Sequence, residues 1–338
     1  MPKMRMNQAI AAALADEMRA DPSVMIMGED IAVAQGPFKT SEGLLEEFGP
    51  LRVRDTPISE MGFTGAAVGA SAMGLRPVVE IMFVEFLGVA LDALVTEAAK
   101  FRYLSNGVFT CPMVVRASVG SGLGFGSQHS QTLENWVTAT PGLKVVTPSD
   151  AQTAYGLMRA AIRDADPVVV LEPRALYAAR GEVVTGEDGI VEIGTARIAR
   201  EGSAATVVTM GQTTGLTLKA AEAAGLDLEV VDLLTLVPWD VETVLASVRR
   251  TGRLVVVEEA PFSGGWGSEI VATVTSAAFD ALTAPPFRVT APDVPVPYTK
   301  DLEARYLPGV EEISEQLTSY LKTGSVPQPW WVREGIAR

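Results

Sequence analysis

Two side chains in this sequence have the type and the setting for acid–base work, Glu60 and His129. Glu60 lies in Asp55-Thr56-Pro57-Ile58-Ser59-Glu60-Met61-Gly62-Phe63, where Pro57 favours an extended Thr56 and a helical pattern then begins. A carboxylate at a helix start is compatible with the dipole. In a dry pocket a carboxyl group favours its neutral form and can share its proton with a bound base. The helix that follows is built from Gly62, Gly65, Ala66, Ala67, Gly69, Ala70 and Ala72. A helix-interior glycine costs about 1 kcal/mol against alanine, so these glycines point to close approach of a neighbouring backbone. Taken alone, the segment is also compatible with an ordinary helix carrying a charged cap residue.

His129 is the only histidine. It follows Gly120-Ser121-Gly122-Leu123-Gly124-Phe125-Gly126-Ser127-Gln128, a loop placed directly after a buried strand. Active-site loops of α/β folds lie beyond the carboxyl ends of strands, although a lone histidine there serves structure as readily as catalysis. The alternating glycines do not make a dinucleotide site. Position 127 is Ser where G-x-G-x-x-G needs Gly, and no opening βαβ unit precedes the loop. Cys111 is the single cysteine, which excludes an internal disulfide or cysteine metal cluster. It reads as a small core residue.

The elements that must position these groups alternate. Strands are predicted at Val24–Met27, Pro77–Phe83, Met113–Ala117, Lys144–Val146 and Val168–Leu171, with helices at Gly62–Leu75, Glu85–Leu104 and Asp150–Arg163, the last capped by Ser149. A second alternation starts at Thr206–Met210 and ends with a helix over Val310–Leu321. The fold class is therefore α/β, two parallel-sheet domains with helices on both faces. The boundaries fall at 1–180 for the first domain, 181–203 for a linker with a small hairpin, 204–325 for the second domain, and 326–338 for a tail. That tail carries Trp330-Trp331 and is expected to pack on a neighbouring subunit.

Composition agrees with two cores. The chain has 338 residues, 48% apolar, which suits two domains with surface left over for an oligomer. Lys plus Arg is 27 against 41 for Asp plus Glu, a net charge of −14 that argues against nucleic acid as a partner. No signal peptide and no bilayer-spanning stretch is visible, so a soluble, cytoplasmic protein without a membrane partner is expected.

Asp-Thr-Pro-Ile-Ser-Glu-Met-Gly-Phe at 55–63 closely resembles the pyrimidine-binding segment of the beta subunits of pyruvate, branched-chain 2-oxo acid and acetoin dehydrogenase complexes. Further matches follow in order: Met27-Gly28-Glu29-Asp30, Gln128-His129-Ser130-Gln131, Pro141-Gly142-Leu143-Lys144-Val145-Val146, Ala161-Ile162-Arg163-Asp164 and Gly252-Arg253-Leu254-Val255-Val256-Val257-Glu258-Glu259. The resemblance covers essentially the whole chain. It implies a thiamine-diphosphate-binding pyrimidine domain followed by a transketolase C-terminal-like domain.

What the resemblance implies is specific. Glu60 would hydrogen-bond N1′ of the cofactor's pyrimidine, so that the cofactor's own imino group can take the thiazolium proton. Ile58, Met82 and Phe86 would line the same pocket; without the resemblance, Met82 and Phe86 read as core. His129 would assist acyl transfer to a lipoyl group. The diphosphate and Mg2+ motif is missing, and Glu187-Asp188-Gly189 lacks its context, so an alpha subunit in an α2β2 heterotetramer would hold both. A potassium ion is implied near Met113, Ala161, Ile162, Asp164 and Asp166, the last adding a negative charge where some relatives have Asn. The activity implied is oxidative decarboxylation of a 2-oxo acid, pyruvate or branched-chain, with acyl transfer to a lipoyl acyltransferase core. Acetoin cleavage, a split transketolase and a non-catalytic scaffold remain the alternatives.

Overall fold

The apolar runs become strands buried on both faces. A computed structural model describes residues 1–336. In chain order the strands are β1 (Lys3–Arg5), β2 (Val24–Gly28), β3 (Val53–Asp55), β4 (Arg76–Ile81), β5 (Val114–Val119), β6 (Lys144–Val146), β7 (Val168–Pro173), β8 (Arg180–Glu182), β9 (Arg197–Arg200), β10 (Ala205–Thr209), β11 (Leu228–Asp232), β12 (Thr235–Val237), β13 (Leu254–Pro261) and β14 (Phe287–Ala291).

The chain folds into two compact units. The first comprises Met1–Val119, Trp136–Ile193 and Thr235–Pro238; the second comprises Gly120–Asn135, Gly194–Leu234 and the chain from Trp239. The His129 loop therefore belongs with the second unit, and β12 with the first.

In the first unit seven strands run in the order β12-β6-β7-β5-β4-β2-β3. All neighbours are parallel except β12, which is antiparallel to β6. β2, β5 and β7 are buried at every position, as expected of parallel strands covered by helices on both faces. Helix Met6–Ala20 packs on helix Ala151–Arg163, and the Glu17 carboxylate between them takes the Arg159 guanidinium at 2.6 Å. The cap of the latter helix is Asp150 rather than Ser149. Its carboxylate accepts from Thr153 N–H at 2.8 Å, filling one orphan donor of the first turn.

The single helix predicted over 85–104 is broken. A 3-10 turn (Val84–Phe86), an α turn (Leu87–Leu91), a π segment (Asp92–Glu97), a second 3-10 turn (Ala98–Lys100) and a last α turn (Phe101–Leu104) replace it. Periodicity could not show this, because each change of turn type rotates the face that follows.

In the second unit the order is β14-β13-β10-β11-β9, parallel except for β9 against β11. The hairpin predicted in the linker does not form: β8 pairs with β1 and β9 with β11. The core gathers Val207, Val230, Val255, Ile313, Leu317 and Tyr320 with Trp330 and Trp331. Both tryptophans are 1% exposed, and Trp330 Nε1 donates to Thr290 O at 2.9 Å. The expectation that they face a neighbouring subunit is corrected: they complete the core of their own unit. Truncating a buried indole costs about 3–5 kcal/mol. Among the described residues no helix is long and apolar enough to cross a membrane.

Candidate active site

Glu60 opens helix Glu60–Ala72 and is 7% exposed. The segment leading to it is pinned at the sheet edge. Thr56 N–H donates to Gly28 O at 3.0 Å at the end of β2, and the Asp55 carboxylate accepts from Ala32 N–H at 2.7 Å. The same strand end carries Glu29, which sequence reasoning passed over as a strand terminus. Burial pushes the Glu29 carboxyl above its ordinary value, the charges of Glu60 and then Asp30 push it further, and Ser59 N–H opposes. Glu29 Oε1 is buried and has no hydrogen-bond partner among the described residues, and neither has Thr56 Oγ1. A carboxyl pair with unpartnered polar atoms around it suits a polar heterocycle.

Ile58 and Met61 flank Glu60 in the chain. Ile58 is 86% and Met61 57% exposed, which leaves apolar side chains uncovered on either side of Glu60 in the chain. The helix packs on β4 and on the turn Leu87–Leu91 that follows Phe86. Phe86 is half-buried and meets Phe83 edge-on, with ring centroids 5.9 Å apart. Met82 is half-buried, and its carbonyl accepts from Ser118 Oγ at 2.6 Å. The outer face of the helix is open: Gly65 and Gly69 have nothing within 4 Å of an added Cβ.

Under the carboxyl ends of β4, β5 and β7 lies a buried ion network that sequence reasoning also missed. Arg116 is held by Glu172 through two bonds of 2.7 and 2.6 Å and by Glu80 on its other side. Tyr177 O–H donates to Glu172 at 2.6 Å. The signal was a charged residue inside each of three apolar strands. The parallel register places Glu80 opposite Arg116.

His129 is half-buried in the second unit, and its backbone N–H donates to Gly126 O at 3.2 Å. The loop closes through Gly120 N–H to Gln131 O at 3.0 Å. Glu134 follows at 9% exposure. Burial, joined by the charges of Glu258 and Glu259, pushes its carboxyl up to about 8.

The oxygens expected to hold potassium are engaged. Met113 O accepts from Val168 N–H at 3.0 Å, and Ala161 O from Asp164 N–H at 3.3 Å. Arg76 Nη1 donates to both Ile162 O and Asp164 O at 2.9 Å. Asp164 pairs with Lys144 at 2.6 Å, and Asp166 with Arg102 at 2.5 Å. Asp166 thus adds no uncompensated charge. Three protein cations already serve the Ile162, Asp164 and Asp166 oxygens, and a potassium ion on the Ile162 and Asp164 carbonyls would meet the Arg76 guanidinium. As arranged, the set does not fit a bare cation. Among the described residues no group of three His, Cys, Asp or Glu side chains could hold a metal.

Two family models match the chain. The pyrimidine-binding domain of transketolase covers residues 2–180, and the transketolase C-terminal domain covers residues 194–313. Fold and site together define a transketolase-type thiamine-diphosphate protein. Among curated relatives, the pyruvate dehydrogenase E1 component subunit beta of Rhizobium meliloti is 45% identical over 316 residues, 93% of this chain and 69% of its own length. The mitochondrial subunit beta-1 of Arabidopsis thaliana is 44% identical, over 92% of this chain and 87% of its own. That of Rickettsia bellii is 42% identical, over 92% and 96%. A solved split-gene transketolase, an inactive beta4 tetramer, superposes with TM-score 0.76 over 94% of this chain and 98% of its own; at 24% identity it shows the fold alone. The chain belongs to the family of beta subunits of thiamine-diphosphate-dependent 2-oxo acid dehydrogenases, as part of the decarboxylase component.

Proposed function

We propose that this chain supplies the pyrimidine side of a thiamine-diphosphate site that an alpha subunit completes in an α2β2 assembly. The reaction is oxidative decarboxylation of a 2-oxo acid with acyl transfer to the lipoyl arm of an acyltransferase core. The names of the relatives favour pyruvate over acetoin cleavage, a transketolase reaction or a scaffold role. The observation that carries the reading is the buried Glu60 carboxyl at a helix start, beside Glu29 and the exposed Ile58 and Met61.

Bound thiamine diphosphate supplies the carbon nucleophile and the electron sink for loss of CO2. Glu60 would hold a proton at N1′ of its pyrimidine, with Glu29 near it. Ile58, Met82 and Phe86 keep water from the ring. His129 assists passage of the acyl group to the lipoyl sulfur. The alpha subunit holds diphosphate and Mg2+; among the described residues of this chain no group of three His, Cys, Asp or Glu side chains could hold a metal.

The test uses the assembled heterotetramer. Glu60→Gln should leave assembly intact and lower 2-oxo acid turnover with an artificial electron acceptor by about 10²–10⁴-fold. Unchanged turnover would overturn the assignment.

A further inference from the structure

The loop that carries His129 has an unusual support. Gly120, Gly122, Gly124 and Gly126 take φ of +90°, +99°, +77° and +75°. Side chains rarely adopt this region, and backbone alternating through it turns successive N–H groups toward one side, forming an anion-binding concavity. Here the anions are the protein's own carboxylates. Glu303 takes two amides at once, Gly122 N–H on Oε1 at 2.8 Å and Gly124 N–H on Oε2 at 2.7 Å. Glu259 Oε1 takes Ser121 N–H at 2.6 Å and Ser121 O–H at 2.8 Å, while Gln212 donates to its Oε2. Glu303 is 2% exposed and projects from the short helix Lys300–Ala304. Tyr298, just before that helix, lies over the loop, 3.0 Å from where a Cβ on Gly126 would sit.

A flexible glycine loop loses much conformational entropy when held in one shape. Charge-assisted bonds to buried carboxylates are about twice as strong as neutral ones and set both register and direction. Glu259 fixes the root of the loop at Ser121, and Glu303 fixes its middle, leaving the arm to His129 only five residues beyond Gly124. We infer that Glu303 is a positioning residue for His129, holding the glycine loop so that the imidazole meets the acyl group. This rests on the acyl-transfer reading of His129.

The experiment compares Glu303→Gln, Glu303→Asp and His129→Ala in the assembled heterotetramer. Hydrogen exchange is followed in the peptide covering 120–131, beside two rates: 2-oxo acid turnover with an artificial acceptor, and acyl transfer to an isolated lipoyl domain. The Gln variant turns an amide N–H2 toward a backbone donor, so exchange should quicken about tenfold or more, with acyl transfer reduced by a similar factor. Artificial-acceptor turnover should change little. The Asp variant keeps the charge and reaches one amide, so it should recover part of both; it also serves if the Gln variant fails to fold. Adding Glu303→Gln to His129→Ala should cause no further loss of transfer. If His129→Ala abolishes transfer while both Glu303 variants keep wild-type exchange and transfer, the positioning role is wrong and the His129 reading stands. If His129→Ala transfers normally, both fall.

Discussion

Glu29, one residue past the end of β2, feels the charge of Glu60, which opens helix Glu60–Ala72. The consequence is visible on Glu29, which is raised by burial and then by the charge of Glu60. The strand and the helix approach because Thr56 is tied to Gly28 O.

The sign of that coupling makes a stability prediction. A raised carboxyl is harder to ionise in the folded chain than in the unfolded one. The folded state is therefore favoured while both forms are protonated, and this advantage is lost as pH rises through the ordinary carboxylate range and beyond. Glu29→Gln removes the penalty. Its melting temperature should exceed wild type at pH 8 and match it near pH 4. A variant less stable than wild type at pH 8 would show that the Glu29 charge is compensated in the native protein.

Arg116 should be the most sensitive position in the first unit. Its two carboxylate partners are buried; Glu80 is raised by burial and drawn back down by Arg116. Arg116→Met strands both, and denaturant unfolding of the assembled protein should register a loss of about 3–5 kcal/mol. Replacing Glu80 and Glu172 by Met as well should restore much of it, because an apolar trio of similar volume carries no unpaired charge. Failure of the triple variant to recover would mean that the network contributes more than charge balance.

Much of this was legible in the sequence, for reasons that differ by residue. β2, β5 and β7 announce themselves as apolar runs because parallel strands are covered on both faces. Glu60 stood out because of its proline and glycine neighbours. Glu29 did not, since a carboxylate after a strand looks like a solvated end until the fold returns Ser59 to it. The Arg116 network needed the strand order, which places β5 between β4 and β7. Glu303 lies far along the chain from the loop it holds, and no local pattern links them. Trp330 and Trp331 are apolar enough to demand burial, but a unit's own core was a nearer place for them than a neighbouring subunit.

Potassium should not be required. Arg76, Lys144 and Arg102 already serve the Ile162, Asp164 and Asp166 oxygens expected to bind it. A bound ion stabilises by mass action, about 2.7 kcal/mol at a hundredfold excess over Kd. Replacing potassium by tetramethylammonium at constant ionic strength should therefore shift neither the melting temperature nor turnover of the heterotetramer. A clear stabilisation specific to potassium would mean that the Arg76 guanidinium gives way to the ion.

Glu134 should give the second unit a pH-dependent stability. Its carboxyl is pushed up to about 8, first by burial and then by Glu258 and Glu259, whereas in the unfolded chain it ionises in the ordinary range. Between roughly pH 4.5 and 8 folding takes up a proton at this position, so its contribution is greatest below that window. Stability then falls as pH rises, by at most about 1.4 kcal/mol per pH unit from this one group, and levels off above pH 8. Glu134→Gln cannot ionise and should flatten the slope, gaining on wild type with each step from pH 5 to pH 8. Urea unfolding of both proteins across that range measures the difference directly. Parallel curves would show that Glu134 is already charged in the folded protein at neutral pH, with a cation or donor balancing it.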